Sequence, residues 1–221
     1  MLVNGARLVG DISGALWWPE RRTLVMADLH LEKGSAYASA GTALLPPYDT
    51  RTTLGRIEAL FRRYEPKTAI CLGDSFHDGK AGSRMPDDDR QRLKRLIAAT
   101  EWIWIAGNHD PAPPRGLEAR TTGELHLGPL RFRHVPEGRD PGEIAGHLHP
   151  KAAVRVRGRR LVHRCFVTDG IRLVMPAFGA YAGGLCVLDE AFGSLFRRNF
   201  HAWMLGERQV LPVQAARLEP I

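Results

Sequence analysis

Three short apolar runs, Thr23-Leu24-Val25-Met26-Ala27, Thr68-Ala69-Ile70-Cys71-Leu72 and Trp102-Ile103-Trp104-Ile105-Ala106, each stop at a polar residue with ligand chemistry: Asp28, Gly73-Asp74 and Gly107-Asn108. Unbroken runs this short, without polar alternation, suit strands buried on both faces. Such strands belong to a sheet covered by helices, and the crevice at their carboxyl ends is where α/β sheets bind ligands. The intervening sequence fits that arrangement. About Thr50 to Tyr64, apolar Leu54, Ile57, Leu60, Phe61 and Tyr64 share one helical face, with Asp49 or Thr50 as cap. About Pro86 to Ala99, Asp87, Asp88 and Asp89 suit a helix N-terminus, and Leu93, Leu96 and Ile97 form its inner face. The Gly-, Ser-, Ala- and Pro-containing stretch Glu32–Tyr48 reads as a long loop.

The chain begins with strands from Arg7 to Gly10 and from Ala15 to Trp18, and its second half changes character. Glu124–Leu127, Leu130–His134, Val154–Arg157 and Leu161–His163 alternate, with turn chemistry at Leu127-Gly128-Pro129 and Thr168-Asp169-Gly170. These predict hairpins of a second sheet. The expected fold class is α/β (α+β): two mixed sheets packed face to face and flanked by helices, in one domain over residues 1–221.

Four stretches then stand out in order: Asp28-Leu29-His30, Gly73-Asp74, Gly107-Asn108-His109-Asp110 and Gly146-His147-Leu148-His149. Residues two apart on an extended segment face the same side, so Asp28 and His30 can grip one cation together. His147 and His149 likewise share a face and can split between two ions. Asp74 is placed to bridge, and Asn108 adds a neutral amide oxygen. A carboxylate, imidazole and amide set without thiolate suits two divalent ions, manganese first, with iron or zinc also compatible.

Those residues resemble the calcineurin-like metallophosphoesterase superfamily, whose pattern is D-x-H, GD, GNH[D/E], a lone H and GHxH. The resemblance runs through the chain and implies a four-layer sandwich that hydrolyses phosphoesters with two metal ions. It assigns Asp28, His30, Asp74 and His149 to one metal, and Asp74, Asn108, His134 and His147 to the other. His134 is preferred over His126 as the lone histidine because it lies at a strand end. Two such ions, ~3.5–4 Å apart, activate water and clamp phosphoryl oxygens during in-line displacement. The resemblance places His109 at the leaving-group oxygen as catalytic acid, with Asp110 orienting its imidazole.

Leu31-Glu32-Lys33-Gly34-Ser35, Leu45-Pro46-Pro47-Tyr48-Asp49-Thr50 and Leu72-Gly73-Asp74-Ser75-Phe76-His77-Asp78 are similar to the bacterial ligase-associated DNA damage response phosphoesterases. That branch lacks a separate capping domain. Membership would imply a DNA endonuclease or phosphodiesterase of DNA repair, associated with a ligase, a helicase and an exonuclease. Small-molecule phosphomonoesterase, nucleotide phosphodiesterase and silent repair scaffold are the alternatives.

Charge leans towards a polyanion: 31 Lys and Arg against 24 Asp and Glu, net +7. Lys33, Tyr37 and His77 are candidate substrate contacts. The run Arg155-Val156-Arg157-Gly158-Arg159-Arg160 fits either a DNA-backbone track or a solvated face, and Trp17, Trp18, Trp102 and Trp104 fit core packing better than base stacking. Cys71, Cys165 and Cys186 read as buried reduced thiols. Phe192–Met204 fits core or a dimer contact. Neither a membrane span nor a signal peptide is legible, so the expected compartment is the cytoplasm.

Overall fold

The computed structural model describes residues 1–42, 45–46, 48–138, 140–196 and 199–221. A small hairpin, β1 (Leu2–Val3) and β2 (Ala6–Arg7), precedes the first sheet. That sheet orders β3 (Val9–Gly10), β4 (Leu16–Trp18), β5 (Thr23–Met26), β6 (Thr68–Leu72), β7 (Glu101–Ile105) and β8 (Arg120–Thr122) as sequence neighbours. β5 to β8 run parallel, so the ends of β5, β6 and β7 emerge on one edge. All three are buried there, as unbroken apolar runs require.

Their connections are α1 (Lys33–Ser39), α2 (Asp49–Tyr64), α3 (Ala81–Arg84) and α4 (Asp87–Ala98). Leu54, Ile57 and Leu60 of α2 and Leu93 and Leu96 of α4 pack on Leu24, Met26, Cys71, Trp102 and Trp104 of the sheet. Burying each of these large side chains contributes roughly 1.5–3 kcal/mol. Trp18, Trp102 and Trp104 are core residues, and half-buried Trp17 stacks on Tyr64 at 5.0 Å. Burial pushes the Tyr64 hydroxyl up to about 12, helped by its hydrogen bond to buried Asp11.

The stretch expected as a loop over Glu32–Tyr48 contains the helix α1, a correction; residues 43, 44 and 47 of that stretch lie outside the described residues. Gly34 and serines disfavour a helix locally, and tertiary bonds hold it instead. The Gly34 amide donates to Asp49 Oδ2 at 3.0 Å, and the Glu32 amide donates to Thr50 Oγ1 at 2.8 Å. Asp49 and Thr50 are therefore committed to α1, and α2 starts without a side-chain cap.

The second sheet holds β9 (Glu124–Leu127), β10 (Leu130–Arg133), β11 (Glu143–Ala145), β12 (Lys151–Val156), β13 (Arg159–Thr168), β14 (Leu173–Val174), β15 (His201–Leu205), β16 (Val210–Gln214) and β17 (Leu218–Glu219). β9–β10 and β12–β13 are the anticipated hairpins, whereas β11 pairs parallel with both β10 and β14. The inner faces of the two sheets meet in a core that includes Val25, Ile70, Ile103, Phe132, Ile144 and Phe166. The outer face of the second sheet is covered by the segment containing α5 (Glu190–Gly193), through Phe192, Leu195, Phe196 and Phe200. The Phe192–Met204 stretch thus contributes core, apart from residues 197 and 198, which lie outside the described residues. Cys71 and Cys165 are buried, which raises both thiols, and Cys186 is only half-buried.

Candidate metal centre

The parallel pairing of β5 and β6 continues past both strands into the ligand loops. The His30 amide donates to the Asp74 carbonyl at 2.9 Å, Leu31 to Ser75 at 2.9 Å, and His77 to Leu31 at 2.9 Å. Within this lacing the backbone is not extended, contrary to expectation for Asp28-Leu29-His30. Asp28, His30, Asp74, His147 and His149 all take left-handed conformations, with φ between 44° and 69°. Non-glycine residues pay roughly 1–2 kcal/mol for such geometry, and it concentrates at functional sites. Leu29 and Leu31 fill the core between the left-handed residues, which turns Asp28 and His30 together towards the centre.

Two triads result. Asp28, His30 and His149 offer ligand atoms within 4.8 Å of one another, as do Asp74, His134 and His147. His134 follows β10 and His147 follows β11. Their parallel pairing brings the two together, and the Gly146 amide donates to the His134 carbonyl at 3.0 Å. His134 Nδ1 donates to the Leu72 carbonyl at 2.9 Å, which aims Nε2 into the centre, where it donates to Asp74 when protonated and offers a lone pair to a cation when not. That Nε2 stands 2.7 Å from Asn108 Oδ1, 3.3 Å from Asp74 Oδ1 and 3.2 Å from His147 Nδ1. His30 and His149 likewise face each other Nε2 to Nε2 at 3.4 Å. So many acceptors aimed at one another are reconciled by cations, and these oxygen and imidazole donors suit hard or borderline divalent ions. His126, by contrast, sits exposed and bonded to Glu124.

The electrostatics follow from packing. Burial alone raises Asp74, but hydrogen bonds from His134 and the His109 amide outweigh it and hold the carboxyl below the usual range. Burial lowers His134 too, yet its bond to Asp74 and the nearby Asp28 charge leave it raised. Burial and then the neighbouring imidazole lower His147, and burial with His149 takes His30 from 6.5 to about 3. A base depressed on folding stabilises above its unfolded value and loses that contribution as pH falls towards the folded one. Chelated protein should therefore melt at lower temperature as pH drops from about 6.5, and His30→Gln should flatten that slope. An unchanged pH profile in this variant, followed by circular dichroism, would contradict it.

Asp110 behaves differently from expectation. Its Oδ2 accepts the Ser75 and Phe76 amides at 2.8 and 3.0 Å, so it props the Asp74 loop and does not pair with the His109 ring. Burial pushes it up to about 7. His109 is oriented by a main-chain group: Nδ1 donates to the His77 carbonyl at 2.8 Å, and Nε2 lies 3.9 Å from Asp74 Oδ2. Beside it the His77 ring stacks at 5.6 Å, Tyr37 follows at 5.6 Å, and Lys33 Nζ stands 5.9 Å from the Tyr37 ring. Burial, with Lys33 next, keeps His77 low.

Gly107 is required by contact. A methyl there would meet the Asp74 amide nitrogen at 2.2 Å and Asp74 Oδ1 at 2.4 Å. Gly107→Ala should cost roughly 2 kcal/mol, lowering Tm by about 4–8 °C for a chain of this size, and should weaken metal binding. A thermal melt matching wild type would refute this.

Sequence reasoning missed the braces behind Asp28. The Phe178 and Gly179 amides donate to the Ala27 and Asp28 carbonyls at 2.8 and 3.1 Å. Arg164 and Arg56 in turn hold the Ala177 and Phe178 carbonyls at 2.6 and 3.3 Å. No local pattern marks such pairs, since Arg56 and Phe178 are 122 positions apart. The arginine run sits at the outer end of the β12–β13 arm, whose strand β12 alone extends about 20 Å at ~3.3 Å per residue.

The profile of the calcineurin-like phosphoesterases matches residues 21–137, just over half of the chain. Among solved structures, nuclease MPE from Pseudomonas putida is similar over 96% of this chain and 98% of its own, with 29% identity and a TM-score of 0.73. Yfce, a phosphoesterase from E. coli, aligns over 87% of this chain and 98% of its own, with 13% identity and a TM-score of 0.42. No curated protein sequence matches.

Proposed function

The chain belongs to the calcineurin-like phosphoesterase family, and from that premise we propose that it is a two-metal phosphodiesterase that cleaves DNA. The observation that carries the chemistry is the pair of facing triads with His109 Nε2 beside their shared edge. Support for DNA comes from whole-chain similarity to a nuclease, from the net charge of +7, and from the resemblance to ligase-associated DNA damage response phosphoesterases. In this reading the whole chain is one catalytic domain that works in cytoplasmic DNA repair beside ligase, helicase and exonuclease activities.

Asp28, His30 and His149 would hold one ion, and Asp74, Asn108, His134 and His147 the other, with Asp74 central to both. Manganese is the proposed occupant, and add-back of manganese, iron or zinc to chelated protein distinguishes them. When bound, such a pair neutralises phosphoryl oxygens and makes water a competent nucleophile at neutral pH. The chain's own contribution is positioning. The His77 carbonyl keeps His109 Nδ1 as a donor, so Nε2 is the nitrogen that passes a proton to the departing oxygen. Lys33 supplies charge to a phosphate, and Tyr37 and His77 supply flat faces beside it.

The test is hydrolysis, with manganese, of bis- and mono-nitrophenyl phosphate and of single-stranded, nicked and duplex DNA. Cleavage of DNA and of the diester supports the reading. Monoester cleavage without DNA cleavage would replace it with a small-molecule phosphatase, and complete inactivity would leave a scaffold.

A further inference from the structure

A groove of about 1050 Å³ opens on the second sheet, away from the metal centre. Its walls are the β12–β13 arm and the β15–β16 hairpin, and the turn Ala215–Arg217 joins β16 to β17 at its edge. Val154 pairs across strands with Leu161, and Met204 with Leu211, so each pair shares a face. Val154 and Met204 are on the face that packs into the outer core. Beyond the cover provided by α5 and its flanks, that same face continues into solvent: Val156, Leu161 and Leu211 are 47%, 40% and 48% exposed. Contiguous exposed apolar surface with a polar border marks an interaction site.

The border is cationic. Arg155 already engages Glu219 at 3.1 Å, which neutralises the carboxylate lining the groove. Arg157 and Arg217 have no ion pair among the described residues. A second copy of the chain would set this arginine border against itself on a protein of net charge +7. A nucleic-acid strand would find no Phe, Tyr or Trp among the lining residues, only the small rings of His163 and His201, and would leave the aliphatic floor wet.

We propose that the groove docks an extended acidic segment of a partner protein in which apolar and carboxylate side chains alternate. In an extended segment, alternate side chains face opposite sides, so one row covers the Leu161–Leu211 floor and the other reaches Arg157 and Arg217. The test uses the full chain and a fluorescent peptide of alternating leucine and glutamate. A leucine–lysine peptide and an oligothymidylate of equal length serve as comparison probes. The leucine–glutamate peptide should bind saturably, and both comparison probes at least about tenfold more weakly. Leu211→Asp and Arg217→Glu should each weaken it at least about tenfold, with hydrolysis of bis-nitrophenyl phosphate and the thermal melt unchanged. Equal or tighter oligothymidylate binding overturns the proposal in favour of nucleic acid. A dimer in light scattering that Leu211→Asp dissociates overturns it in favour of self-association. Absent binding of the leucine–glutamate peptide, or binding indifferent to both substitutions, overturns it outright.

Discussion

Asp74→Ala should lower metal-dependent hydrolysis of every phosphoester substrate by at least about 10³-fold, or ~4 kcal/mol of transition-state stabilisation. Its carboxylate links the His134 side of the centre to His109. Its Oδ1 lies 3.3 Å from His134 Nε2 and accepts the His109 amide at 3.0 Å, while its Oδ2 is 3.9 Å from His109 Nε2. Its carbonyl also receives the His30 amide, so its backbone ties the two ligand loops together. In the proposed two-ion centre alanine would remove the carboxylate shared by both cations, and the manganese isotherm should lose at least one site. Asp74→Asn separates charge from shape: it retains an acceptor for the His109 amide, so its fold should survive while metal affinity falls. Circular dichroism verifies the fold, and titration calorimetry reads the affinity. Manganese-dependent hydrolysis persisting in purified Asp74→Ala would remove Asp74 from the centre.

His109→Ala should divide substrates by leaving group. For DNA, whose departing alkoxide needs a proton, the loss should be about 10²–10⁴-fold. For bis-nitrophenyl phosphate, whose departing phenolate is a stable anion, it should be several times smaller. Manganese affinity should hardly change, because the His109 ring belongs to neither triad and its amide, which contacts Asp74, survives the substitution. Equal losses on both substrates would make His109 a phosphate-binding group and not a proton donor.

Much of this centre is legible in the amino-acid sequence. The buried runs ending at Asp28, Asp74 and Asn108 form β5, β6 and β7, because an apolar pentad can be buried on both faces in few ways. Expectation fails where local preference and tertiary demand diverge. α1 escapes a sequence reading because Lys33–Ser39 is a weak helix former pinned from outside by Asp49 and Thr50. β11 escapes it because three residues, Glu143–Ala145, carry no readable period. Asp110 is expected on the His109 ring as the usual carboxylate partner of a catalytic imidazole. Folding instead brings the Ser75 and Phe76 amides to Asp110 and the His77 carbonyl to His109.

The amino-acid sequence by itself determined the candidate ligand types, their order and the buried strands that carry them, because these depend on composition and on periods within a few residues. Tertiary structure decided how the histidines are brought into two triads, which carbonyl aims His109, and how Arg56 and Arg164 brace the segment behind Asp28. Those outcomes depend on left-handed backbone turns and on contacts between residues far apart in the chain. Their cost is met by the packing of the whole fold, which no local window contains.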